Sequence, residues 1–162
     1  MRSQKGFTLP EAMIVIALIA IVAAIGIPRF QKMAVNGRLK AAAKDLVSDF
    51  MSLKEKALSG DVTLGTRMYR LSLNPAGQSY QLQQCTNQGS PCGGWSAIQL
   101  KNFTPFGTDI SFDASQTNPT DYNFQTRGTV TNGTIVLKNN LGSTATITIT
   151  TTGRIYVSYA LQ

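Results

Sequence analysis

Glu11 is the first residue whose surroundings demand a chemical reason. It is the one ionisable side chain within residues 7–28, an otherwise apolar stretch rich in Ile, Ala, Val and Leu. An ionised side chain deep in hydrocarbon costs about 2.5–3.5 kcal/mol or more and usually marks function. Cys85 and Cys92 are the next pair with reactive potential. Gly89 and Pro91 between them favour a turn that brings the two thiols together. In an exported domain such a pair persists as a disulfide. The rival, a metal pair, lacks further Cys or His ligands anywhere in the chain. A third constellation lies near the end. If Ile155 and Val157 turn toward a core, strand alternation sends Arg154 and Tyr156 outward. An arginine and a tyrosine on one exposed edge can grip a phosphate and stack a base. An ordinary exposed hairpin is the plainer alternative.

No catalytic constellation accompanies these residues. The chain has no histidine to act as general base. It has no Gly-rich phosphate loop ending in Lys-Ser or Lys-Thr. Asp109 and Asp113 are close in sequence and read as a solvated turn pair. Trp95, beside Gly93 and Gly94, reads as a sheet or core residue rather than a ligand platform. The expectation is a non-enzyme with no cofactor and no metal.

The 162 residues suit one modest domain plus an N-terminal segment. The formal net charge is +7. It is concentrated just after the apolar run: residues 29–60 hold seven basic and three acidic side chains. Residues 61–162 hold six basic and four acidic ones. A basic segment in that place suits a membrane surface, a polymer neighbour or nucleic acid, and equally a solvated helix face.

The elements that position these residues follow from periodicity. A helix from Phe7 to Pro28 would extend about 32 Å, enough to span a bilayer core. Pro10 falls in its first turn, where a missing N–H is harmless. Gly26 and Pro28 together predict a kink or a melted turn. Leu39, Ala42, Leu46, Phe50, Leu53 and Ala57 then form one apolar stripe of a helix. Lys40, Lys44, Ser48, Ser52 and Lys56 mark another face, and Gly60 is a plausible stop. Beyond about Thr66 the texture turns to short alternating strands separated by Asn, Gly and Pro. They include a C-terminal hairpin, Ile147 and Ile149 against Ile155 and Val157. The fold class is α+β: one long N-terminal helix, apolar then amphipathic, packed on an antiparallel β-sheet domain. The organisation is residues 1–6 as a leader, 7–28 as an apolar helix, 29–60 as an amphipathic half, and 61–162 as a β-rich globular domain.

The string Gly6-Phe7-Thr8-Leu9-Pro10-Glu11, with the apolar run to Pro28, closely resembles the N-terminus of type IV pilins and pseudopilins. A secretory signal places its cleavage site after the apolar region. Here Gly6–Phe7 precedes it, so cutting would leave the helix on the mature protein. The resemblance implies cutting by a prepilin peptidase between Gly6 and Phe7, and N-methylation of Phe7. It implies that Glu11 pairs with the free amine of a neighbouring subunit during assembly; pairing with its own amine is the alternative. It implies a bacterial inner-membrane precursor that joins a pilus or pseudopilus, with other pilin subunits as partners. Arg127-Gly128, Gly133-Thr134 and Gly153-Arg154 resemble the closing strands of FimT/GspH-type minor pilins and pseudopilins. Some of these bind DNA through a Gly-Arg-x-Arg hairpin. This chain has Tyr156 at the second arginine position, which weighs against DNA as a partner. The expectation is a minor type IV pilin, with a DNA-binding subunit or a type II secretion pseudopilin as alternatives.

Overall fold

The computed structural model describes residues 8–59, 68–86 and 92–162. Gly6, Phe7 and Gly60 lie outside those residues, and with them the expected cleavage site and helix stop. Contacts divide the chain into two compact units, Met1–Ala34 and Val35–Gln162.

Helix α1 spans Leu9–Ser59. The Ala12 N–H donates to the Thr8 carbonyl at 3.2 Å, so the first turn closes around Pro10. Of the kink or melted turn expected at Gly26 and Pro28, the melted turn is corrected: the helix runs unbroken through both. Pro28 withdraws one i→i−4 bond, the one toward the Ala24 carbonyl. The bonds of its neighbours carry the turn.

In the second unit the six stripe residues are buried together with Ala43. They are covered by eight strands: β1 (Tyr69–Asn74), β2 (Ser79–Cys85), β3 (Trp95–Asn102), β4 (Ser111–Phe112), β5 (Asp121–Phe124), β6 (Gly133–Lys138), β7 (Thr144–Ile149) and β8 (Ile155–Ala160). The antiparallel domain is built as two four-stranded sheets, in the orders β3-β2-β1-β5 and β4-β6-β7-β8. Isolated bridges Asn118 to Thr134 and Phe124 to Val130 tie β5 to the approach of β6.

Strand alternation sends Tyr69, Leu71, Leu73, Tyr80 and Leu82 inward from the first sheet, and Ile135, Leu137, Ala145, Ile147 and Ile149 from the second. Phe50 sits among them. Its ring lies 4.6 Å from that of Phe124 and 6.1 Å from that of Tyr122, both edge-on. On β8 the alternation is only partly realised. Ile155 and Tyr159 pack against the core, but Val157 is 37% exposed. β8 is the outermost strand of its sheet, so one of its flanks has no strand to cover it.

Candidate assembly site

In the first unit the helix turns from Ala12 to Ile27 are apolar on every side and largely bare. Leu9, Met13, Ile14, Ile16, Leu18, Ile19, Val22, Ile25, Ile27 and Phe30 are all exposed. A helix hydrophobic all round is stable in a membrane or inside a bundle. Residues from Leu9 onward are long and apolar enough to cross a bilayer. Glu11 sits in the first turn of this segment and is exposed. A carboxylate there also suits the positive end of the helix dipole.

In the second unit the helix is clasped on both flanks of its buried stripe. At about 100° per residue, Asp45 and Asp49 fall on one flank, and Asn36, Lys40 and Lys54 on the other. On the first flank, the Tyr80 hydroxyl donates to Asp49 Oδ2 at 2.8 Å, with Asp45 Oδ2 at 3.1 Å. Lys101 Nζ donates to Asp49 Oδ1 at 2.9 Å and to Asp45 Oδ2 at 3.2 Å. Burial, then the bond to Asp49, drives the Tyr80 pKa far above the usual phenol range. Burial disfavours the Lys101 charge, but its bonds to Asp49 and Asp45 outweigh that and raise its pKa.

On the other flank, Lys54 Nζ donates to the Gly153 carbonyl at 2.9 Å and the Thr152 carbonyl at 3.5 Å. Lys40 lies over the Tyr159 ring at 5.7 Å. Asn36 Nδ2 donates to the Gln162 carbonyl at 3.2 Å. The β7–β8 turn is thereby fixed to the helix. Gly153 adopts φ +69°, a region that favours glycine, and a Cβ there would lie 2.9 Å from the Lys54 side chain. Arg154 and Tyr156 are both exposed beyond this turn, as alternation expects.

Cys85 and Cys92 are joined by a disulfide, which ties the end of β2 to the approach of β3. Trp95, the first residue of β3, lies beneath the Arg70 guanidinium at 4.4 Å, and Arg70 Nε donates to Gln83 Oε1 at 2.7 Å. Trp95 is therefore a sheet residue with a cationic lid. Asp109 and Asp113 do not act as a pair. Asp109 meets Arg38 at 3.3 Å, whereas Asp113 accepts from Ser115 at 2.6 Å and faces Lys138 at 3.9 Å. The Ser115 bond, above all, lowers the Asp113 pKa against the opposing effect of burial.

Sequence reasoning missed both clasps. The i, i+4 spacing of Asp45 and Asp49 was a readable signal of a shared helix face. Nothing in the local sequence pointed Lys101 or Lys54 at their partners, because both contacts join residues far apart along the chain.

Residues 1–27 match the family described as the prokaryotic N-terminal methylation motif. The type IV major fimbrial protein FimA of Dichelobacter nodosus is 36% identical over 92 residues, covering 46% of this chain and 59% of that relative. Prepilin peptidase-dependent protein D of Escherichia coli (strain K12) is 49% identical over 51 residues, 32% of each chain. A fimbrial protein of Pseudomonas aeruginosa is 46% identical over 59 residues, 36% of each chain. The chain thus spans between about a third and three fifths of the length of these curated relatives. The minor pseudopilin EpsH from the type 2 secretion system of Vibrio cholerae shares the fold, with a TM-score of 0.57 at 14% identity. That match covers 75% of this chain and 96% of EpsH.

Proposed function

From the premise that this chain is a type IV pilin or pseudopilin, we propose that it is a minor subunit of a pilus or of its tip complex. It is made as a precursor, cut by a prepilin peptidase between Gly6 and Phe7, and N-methylated at Phe7. The Escherichia coli relative is named for dependence on that peptidase. Residues 7–28 hold the precursor in the bacterial inner membrane. The subunit then leaves for a filament in the periplasm or at the cell surface, where other pilins cover the apolar helix. The role is structural rather than enzymatic.

The observation that carries this reading is an uncovered, wholly apolar helical segment interrupted by one carboxylate, Glu11. After cutting, the Phe7 amine is a cation within one turn of Glu11. Among packed helices each charge is costly alone and tolerable when paired. Pairing between neighbours gives the helix a reason to enter the filament. Glu11→Ala removes the charge and leaves insertion in the membrane intact or improved. Incorporation into filaments should nonetheless fall. Normal incorporation of Glu11→Ala would leave Glu11 only neutralising its own amine. Mass spectrometry of filament protein should show a methylated chain beginning at Phe7, and an intact Met1 start would refute the processing step.

A pilus-displayed DNA-binding subunit is the second reading, and exposed Arg154 and Tyr156 favour it. Against it, Lys54 beside them already donates to the Gly153 and Thr152 carbonyls. Binding without sequence preference needs several cationic contacts to phosphate, so one arginine should give weak, salt-sensitive binding. A fluorescence titration with duplex DNA decides. Binding at about micromolar affinity or tighter in physiological salt, lost in Arg154→Ala, would put DNA capture first.

A further inference from the structure

Of the seven cations between residues 29 and 60, Arg38, Lys40 and Lys54 are engaged with Asp109, the Tyr159 ring and the β7–β8 turn. Lys44 and Lys56 belong to the second unit. Arg29 and Lys32 remain, in the first unit and both exposed. Neither has an ion pair among the described residues. No carboxylate stands near them along the chain: Glu11 is the last acid before them and Asp45 the next after. Their spacing of three sets them on one side of α1. Phe30 and Met33, 72% and 70% exposed, stand beside them. The depth of the pair follows from length. With residues 9–28 filling a bilayer core, the helix rises about 30 Å, the thickness of that core. The headgroup layer adds roughly 5–7 Å on each side. Arg29 stands about 1.5 Å past the run and Lys32 about 6 Å, so both fall in that layer.

We propose that Arg29 and Lys32 form a contact for anionic lipid headgroups, which fixes the depth of α1 in the bilayer until the subunit leaves for the filament. The inference rests on the reading of residues 7–28 as the membrane-held segment, and it names the lipid that this segment meets. Three observations choose a lipid surface as the partner. Residues 29–44 carry five cations and no acid, so they repel a second copy of themselves and attract a phosphodiester surface. The pair is continuous with the apolar run, so the helix that enters the bilayer brings both cations to the headgroups. Two cations one turn apart are too few to hold a nucleic acid, which needs several phosphate contacts at once. They suffice for a lipid surface that the helix already crosses. The Arg29 fork matches a phosphate bidentately, and the Lys32 stem lies along the apolar boundary with its ammonium among the headgroups. Phe30 and Met33 add apolar contact at the same depth. Leaving the bilayer then costs headgroup contacts as well as apolar ones, so the anionic lipid content sets part of the barrier to assembly.

Fluorescence quenching of the full chain in lipid vesicles tests it. Met33→Cys, labelled with a fluorophore in the absence of reductant, reports the lipids beside Arg29 and Lys32. Phosphatidylcholine vesicles carry, at equal mole fraction, either phosphatidylglycerol or phosphatidylcholine spin-labelled at the same acyl carbon. The headgroup contact should enrich the anionic quencher beside the label roughly fivefold, the discrimination expected of about one cation–headgroup contact. Arg29→Gln together with Lys32→Gln in the labelled chain should bring the two quenchers level. Salt at about 0.5 M should remove most of the preference. Lys44→Gln should leave it as it was. Equal quenching in the parent, a preference that survives loss of both cations, or one lost equally in Lys44→Gln would each overturn the proposal. The two readings fail differently. Quenching by neither lipid sinks the membrane-held segment and the headgroup contact together, whereas equal quenching by both sinks the headgroup contact alone.

Discussion

Phe50→Ala probes the contact that makes the helix and the sheets one domain. Phe50 is 2% exposed and its ring meets the edges of Phe124 and Tyr122 at 4.6 and 6.1 Å. Truncating a fully buried phenylalanine removes its transfer free energy and leaves a cavity, about 3–5 kcal/mol together. The two edge-on ring contacts, at roughly 0.5–1.5 kcal/mol each, place this site in the upper part of that range. For a unit of this size, each kcal/mol lowers the melting temperature by about 3–5 °C, so a fall of roughly 10–20 °C is expected. Far- and near-ultraviolet circular dichroism of the full chain in detergent reads the transition. Phe30→Ala is the internal control. Phe30 lies on the same helix but is 72% exposed, so its loss should leave that transition within about 0.5 kcal/mol. A Phe50→Ala melt within about 1 kcal/mol of the parent, or an equal loss in both variants, would refute the packing of the stripe under the sheets.

Three further outcomes follow from the same geometry. Lys101→Met removes the cation between Asp45 and Asp49 and should lower stability at neutral pH by about 1–3 kcal/mol. Lys101 and Tyr80 both have raised pKa values, so their contribution is full below the unfolded values of 10.5 and 10.0 and is lost as pH rises beyond them. The parent should therefore melt progressively lower above about pH 10, more steeply than Lys101→Met; identical alkaline profiles would contradict the network. Gly133→Ala would bring a Cβ to 2.6 Å from the Asn118 carbonyl and 2.9 Å from the Tyr122 hydroxyl, and onto Pro119. The overpacking should cost about 1–3 kcal/mol in a urea titration, and an unchanged midpoint would show that the site relaxes freely. Replacing Cys85 and Cys92 by alanine opens a loop of separation 7, worth about 2–3 kcal/mol by loop closure. Parent protein without reductant should show no free thiol, and a titratable one would break the pairing.

The helix stripe was legible because helical burial is written in the local spacing of residues. Leu39, Leu46, Phe50 and Leu53 had to face one way, and they do. The strands were legible for the same reason, each from its own alternation and bounding turns. Their sorting into two sheets was not, because it depends on which distant edges meet. β4 chooses β6 and β5 chooses β1, and neither choice is encoded in a local period. Val157 shows the limit of alternation: the period places a side chain on a face, but only the neighbouring strand decides whether that face is covered. Pro28 shows a limit of local breakers: the helical turns on either side of it keep the chain helical where a melted turn was one of the two expectations.

The basic run after the apolar segment had three readings in the sequence: membrane surface, polymer neighbour or nucleic acid. Its structure changes the weights. Arg38 is paired with Asp109, Lys40 rests on the Tyr159 ring, and Lys54 donates to the β7–β8 turn. Three of the seven cations between residues 29 and 60 are thus engaged in holding helix to sheet. The cost of freeing each falls on the fold, so they are poor candidates for gripping phosphates. Charge that looked like a binding surface in one dimension serves as internal clasps in three. The same clasps leave the outer face of α1 uncovered and set β3 and β8 on either side of it. The uncovered surface that remains is the apolar helix segment from Leu9 to Ile27, where no such clasp acts.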